Sequence, residues 1–170
     1  MVGGSLMETT PPFRFDPQKA LEAILYIADR LPCRATRLIL SKVFYMTDKL
    51  SLEMYGRFTC GDRYVAMEYG PVPSGVYDII KGKLPVDPTA FRTSGYYINP
   101  NRPPNETLLS ESDMECLDSV LRKYGKRIGR LIEDSHDGAW EGTAENAVIQ
   151  VEHIADTLPD ARMIIEHLHE

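Results

Sequence analysis

Apolar residues recur with helical spacing along most of the chain. In "DPQKALEAILYIADRL", Leu21, Ile24, Leu25, Ala28 and Leu31 share one face. Asp16 is placed to cap that helix, Pro17 suits its first turn and Pro32 ends it. The next segment, "TRLILSKVFYMTDKLSLEMYG", is longer and apolar on two sides. Ile39, Val43, Met46 and Leu50 form one stripe; Tyr45, Asp48, Leu52 and Tyr55 form another nearly opposite, flanked by Leu38 and Phe44. A helix that is apolar around much of its girth sits at the centre of a fold. Asp48 then needs hydrogen-bond partners, because a buried carboxylate is costly without them. Gly56 marks the helix stop.

The pattern changes over "RFTCGDRYVAMEYG", which reads as a short hairpin or irregular extended region with turn chemistry at Gly61-Asp62. Pro71 and Pro73 stiffen its exit. "SGVYDIIKGK" resumes helical spacing through Val76, Ile79 and Ile80, with Ser74 as N-cap and Gly82 as its close. Residues 84–107 are rich in proline and asparagine and form a surface excursion with a short strand around "FRTSGYYINP". A helix then starts at Ser110 or Ser112, with Asp113 or Glu115 completing a capping box. Met114, Leu117, Leu121 and Tyr124 are its apolar stripe. A short helix over "KRIGRLIEDSH" follows, and two more occupy the end. Ala147, Val151, Ile154 and Leu158 line the first of these; Ala161, Ile164, Ile165 and Leu168 line the second. The expected fold is mainly α: one compact domain over residues 15–170, with six or seven helices and a small β-hairpin or short-strand insertion. A flexible leader over residues 1–14 precedes it.

Composition fits that picture. The chain has 170 residues, 43% of them hydrophobic, enough for one core and too few for two. Its formal net charge of −6 disfavours nucleic acid as the main partner, since phosphate contacts call for cations. Cys33, Cys60 and Cys116 are widely spaced and odd in number, which reads as free thiols in a reducing compartment. No apolar run approaches the roughly 18 residues of a membrane span, and the start lacks a signal-peptide pattern. A cytoplasmic protein, without membrane association, is expected.

Candidate chemistry is sparse. Gly75 and Gly82 are too far apart for a phosphate loop, and Leu84 follows Lys83 where a serine or threonine is needed. Ser135-His136-Asp137 spells the letters of a hydrolase triad, but neighbours on a helix diverge by about 100°, while a triad must converge. His136 reads as a partly buried structural histidine or as part of a binding surface. His153, His167 and His169 lie far from the cysteines, so no metal site or cofactor is indicated. The basic run Arg122, Lys123, Lys126, Arg127 and Arg130 is a solvated surface or a contact for an acidic partner or nucleic acid, interrupted by Gly125. Trp140, expected in a loop, is a core anchor or an interface hot spot.

Taken together, "KVFYMTDKLSLEMYGRFTCGDRYVAMEYGPVPSGVYDII", "LSESDMECLDSVLRKYG" and "LIEDSHDGAW" resemble the signature of the Panacea domain, the family of SocA-like antitoxins and phage-associated GepA-like proteins. The resemblance spans roughly residues 20–165. "SHDGAW" lacks a proline common in the family, and "RLILSKVFYM" alters its usual leucine-rich helix start. The resemblance implies an antitoxin of a bacterial or phage toxin–antitoxin pair that neutralises a toxin by protein contact, with no catalytic residues. It also implies an AAA+ protease as a further partner through an adaptor role; a homo-oligomer is a separate expectation. The implied family surface comprises Tyr45, Asp48, Tyr55, Gly56, Tyr64, Tyr69, Gly70, Pro71, His136 and Trp140. Asp48 and His136 are expected to meet as a charged hydrogen bond. The rival readings are a hydrolase using His136 with Asp48 or Asp137, and a nucleic-acid-binding regulator using the basic run.

Overall fold

The structure is a computed structural model and describes residues 12–170. Most of the expected leader therefore lies outside the described residues, although Phe13 already packs its ring on Phe58, 4.9 Å between centroids. Helix α1 (Pro17–Arg30) is capped by Asp16, whose carboxylate accepts from the Lys19 amide, and is buried from Ala20 to Ile27. Helix α2 (Arg37–Tyr55) starts at Thr36, whose hydroxyl accepts from the Ile39 amide, and stops at Gly56 in the left-handed conformation. The two apolar stripes of α2 have the expected consequence. It is the central element, and Leu40, Val43, Phe44, Tyr45 and Leu52 are all shut off from solvent. Each such side chain contributes about 1.5–3 kcal/mol by burial.

Strands β1 (Tyr64–Met67) and β2 (Gly70–Pro73) form an antiparallel hairpin, with Met67 opposite Gly70 and Tyr64 opposite Pro73. Its turn is Glu68-Tyr69, so the turn expected at Gly61-Asp62 lies elsewhere. Asp62 has a different task. Its carboxylate accepts from the amides of Arg63, Gly75 and Val76. It thereby caps helix α3 (Ser74–Ile80) from the far side of the hairpin, in place of the expected Ser74, which is the first helical residue behind Pro73. The outer edge of β1 pairs with residues 146–149, where Asn146 N–H donates to the Ala66 carbonyl and Ile149 N–H to that of Tyr64.

The excursion after α3 folds into a second antiparallel hairpin, β3 (Phe91–Ser94) and β4 (Tyr97–Pro100), with Gly95 left-handed at the tip. Helix α4 (Glu111–Tyr124) carries the capping box between Ser110 and Asp113. Buried Asp113 is also held by Lys19 at 2.6 Å and Arg57 at 3.1 Å. Helices α5 (Ile128–Ser135), α6 (Gly138–Glu141), α7 (Val151–Ala155) and α8 (Ala161–Leu168) complete the chain. The one-turn helix α6 replaces the loop expected around Trp140. Helix α2 packs against α1, α3, α4, α5, α7 and β2, which makes a single core. Cys60 and Cys116 are buried and Cys33 exposed, all as free thiols.

Candidate functional site: a hairpin tip held by its carbonyls

Three side chains from different elements grip the β1–β2 turn. The Trp140 indole Nε1–H, on α6, donates to the Met67 carbonyl at 2.8 Å. His136 Nε2, just past α5, lies 2.9 Å from the Tyr69 carbonyl. Only a protonated nitrogen can donate to a carbonyl, so this contact places the ring proton on Nε2. Lys42 Nζ, from the middle of α2, donates to the Pro71 carbonyl at 2.9 Å. Alternate carbonyls of the turn thus each receive one donor. The His136 and Trp140 rings stack on each other, 4.5 Å apart and 20° from parallel, so the two grips support one another.

The geometry explains Gly70. Its φ of +114° is a conformation that side-chain-bearing residues avoid. A Cβ there would lie 2.8 Å from both the His136 ring and Lys42 Nζ. Lys42 itself is fully buried, with the Pro71 carbonyl as its partner and, among the described residues, no carboxylate paired with it. Burial pushes its pKa down to about 8.

A second layer secures the gripping side chains. Asp137 accepts Tyr45 OH at 2.7 Å and Lys49 Nζ at 2.8 Å on one oxygen, and the Trp140 amide on the other. It is the N-cap of α6 and ties that helix to α2. Burial next to the Asp137 charge raises the Tyr45 pKa, which keeps its hydroxyl a donor. Asp48 is satisfied separately. One oxygen accepts the amide and hydroxyl of Thr59, and the other accepts Tyr64 OH at 2.6 Å. Burial pushes Asp48 up to about 6, against the pull of these three bonds. Tyr45 and Tyr64 meet edge to face at 5.1 Å.

The residues expected as a surface thus divide. Tyr45, Asp48, Tyr64, Gly70 and Pro71 are interior. His136 and Trp140 are half-buried, while Tyr69 is 68% exposed at the turn. Tyr55 and Gly56 stand apart, at the end of α2 about 20 Å along the helix from Lys42; Tyr55 bonds Glu115 and Gly56 caps. The expected Asp48–His136 bond does not form, because Asp48 turns to Thr59 and Tyr64 while His136 reaches the Tyr69 carbonyl. The carboxylate that joins the cluster is Asp137. Lys42 and Lys49 were not anticipated. Their only trace in the sequence is the placing of two lysines within the apolar run of α2.

Outside, the turn borders a shallow groove of about 410 Å³ lined by Met67, Glu68, Trp140, Glu141, Thr143 and Glu145. Glu68, Glu141 and Glu145 are exposed, so the groove has an acidic rim. Among the described residues, no group of three or more His, Cys, Asp or Glu is placed to hold a metal ion. None of their helices is long and apolar enough to cross a membrane.

A mainly helical frame thus fixes a turn by its own carbonyls and leaves the Tyr69 side chain outside. Compared with known protein families, the chain matches the SocA-like antitoxin, Panacea domain, over residues 40–141. The chain belongs to that family. The matched span runs from α2 through α6 and contains every residue of the grip. Membership supports an antitoxin-like role. Comparisons with curated proteins and with solved structures gave no match.

Proposed function

We propose that this protein is a cytoplasmic antitoxin that neutralises a co-encoded bacterial or phage toxin by direct binding, using the face around the β1–β2 tip. The observation that carries this reading is Tyr69. Its carbonyl is held by His136 while its side chain remains 68% exposed. A large aromatic side chain on a fixed backbone loses little conformational freedom when a partner covers it, which is the character of an interface hot spot. The acidic rim beside it suits a toxin face carrying Lys or Arg. His136 and Trp140 position the tip more than they contact the toxin. A hydrolase built on His136 with Asp48 gains no support, since the two side chains bond elsewhere.

Coexpression with the product of the adjacent gene tests the proposal. Wild type should restore growth and co-purify with the toxin. Tyr69→Ala should fail at both while melting at the wild-type temperature. Equal rescue by Tyr69→Ala would remove the tip from the binding surface. Rescue that vanishes in a host lacking an AAA+ protease would convert the mechanism from blocking to delivery. Light scattering of the purified protein reads out a homo-oligomer.

A further inference from the structure

A second exposed surface lies where the β3–β4 hairpin meets the start of α2. It rests on backbone bonds: Arg37 N–H donates to the Tyr96 carbonyl and Ile98 N–H to the Ala35 carbonyl, and Thr36 bridges Tyr97. On this base, cations and tyrosines alternate. The Arg34 guanidinium sits 3.7 Å over the Tyr97 ring. Arg37 lies between Tyr96 at 5.0 Å and Tyr77 at 6.0 Å, and Lys81 covers Tyr77 at 4.4 Å. Tyr96 is 72% exposed, and Leu38 beside Arg37 is 39% exposed.

The charges here are unbalanced. Among the described residues, no carboxylate lies within 4.0 Å of Arg34, Arg37 or Lys81, in a protein whose net charge is −6. Arg37 also occupies the first position of α2, where the helix dipole disfavours a cation and where the first turn has no acidic residue.

We infer that this cation–tyrosine face is a second docking surface and that its partner is an acidic protein segment with an apolar side chain among its carboxylates. An arginine laid on a tyrosine ring keeps its N–H edges free, and those edges match a carboxylate with two parallel bonds. Leu38 and Tyr96 provide the apolar contact. Single-stranded nucleic acid fits less well. It needs open ring faces for base stacking, and cations already cover Tyr77 and Tyr97. Arg34 and Arg37 precede the family match over residues 40–141, while Tyr77, Lys81, Tyr96 and Tyr97 lie within it. The face shares no residue with the Tyr69 tip, and the two surfaces stand or fall separately.

The test uses the full chain with two fluorescent probes: a glutamate-rich peptide with interspersed leucines, and an oligothymidylate of equal net charge. Anisotropy titrations should show binding of the peptide, weaker binding of the oligothymidylate, and loss of peptide binding as salt rises. The double variant Arg34→Glu/Arg37→Glu should weaken the peptide at least about tenfold, and Tyr96→Ala should weaken it without changing the melting temperature. Tyr69→Ala should bind the peptide as wild type does. No peptide binding by wild type, undiminished binding by the double variant, or tighter binding of the oligothymidylate would each overturn the inference.

Discussion

The two hairpins differ in what holds them. The β1–β2 turn is gripped through its carbonyls by Trp140, His136 and Lys42, and its base is braced by Asp62 and by residues 146–149. The β3–β4 hairpin is tied by main-chain bonds to the start of α2 and by Ile98 to the core, with no comparable set of side chains on its turn carbonyls among the described residues, and most of its residues are exposed. A turn fixed by specific side chains cannot change sequence freely. A hairpin fixed by its backbone can carry almost any outward residue. Both hairpins lie within the family match, and they differ in constraint: named side chains fix the first turn, whereas the second leaves its outward residues free.

The sharpest way to break this comparison is to put the same substitution in both turns. Gly70→Ala forces a Cβ against His136 and Lys42 at φ +114° and should cost about 3 kcal/mol. Gly95→Ala, at φ +61° with nothing within 4 Å, should cost only ~1 kcal/mol. Urea denaturation of both variants measures the difference, and equal costs would mean that the grip does not exist.

Lys42 offers a second test, through pH. Burial lowers its folded pKa from 10.5 to about 8, so between those values the folded state binds fewer protons than the unfolded chain. Stability from this group therefore rises with pH across that window, and its burial cost is fully present below pH 8. Lys42→Met removes the effect. The stability of wild type relative to Lys42→Met should rise by about 1 kcal/mol between pH 7 and pH 9, measured as paired denaturation curves. A constant difference would place Lys42 in a wetter site than the structure does.

Trp140→Phe keeps a ring for His136 to stack on and removes the indole donor to Met67. It should cost about 1 kcal/mol, and amide hydrogen exchange should rise at the β1–β2 turn while β3–β4 stays unchanged. The smallest effects on stability are expected at the two tips. Tyr69→Ala and Tyr96→Ala should each shift stability by less than about 0.5 kcal/mol, because neither side chain is packed.

What the sequence disclosed follows the range of the interactions. The two apolar stripes of α2 announced a central helix, and the Ser110–Asp113 capping box was legible because its partners are three residues apart. Asp62 was misread as a turn residue because the amides it caps lie 13 and 14 residues away, behind a hairpin. Asp48 was marked as needing partners, but hydrophobic spacing does not say which ones. Its bonds to Thr59 and Tyr64 arise only when the chain folds back along α2. The grip was least legible of all. Its acceptors are main-chain carbonyls, which every residue has, and a lysine in an apolar run carries no sign of which carbonyl it will reach. The resemblance of "YGPV" and "SHDGAW" to a family signature pointed to segments that the fold brings together, while leaving their division into interior and exposed residues to the structure.

The central claim is that the clamped turn presents Tyr69 to a toxin. The most direct measurement is calorimetric titration of the co-encoded toxin into wild type, Tyr69→Ala and Tyr96→Ala, each with a melting curve. The account predicts that Tyr69→Ala weakens binding by at least ~30-fold, about 2 kcal/mol, at an unchanged melting temperature, while Tyr96→Ala binds as wild type. Wild-type affinity in Tyr69→Ala would contradict it.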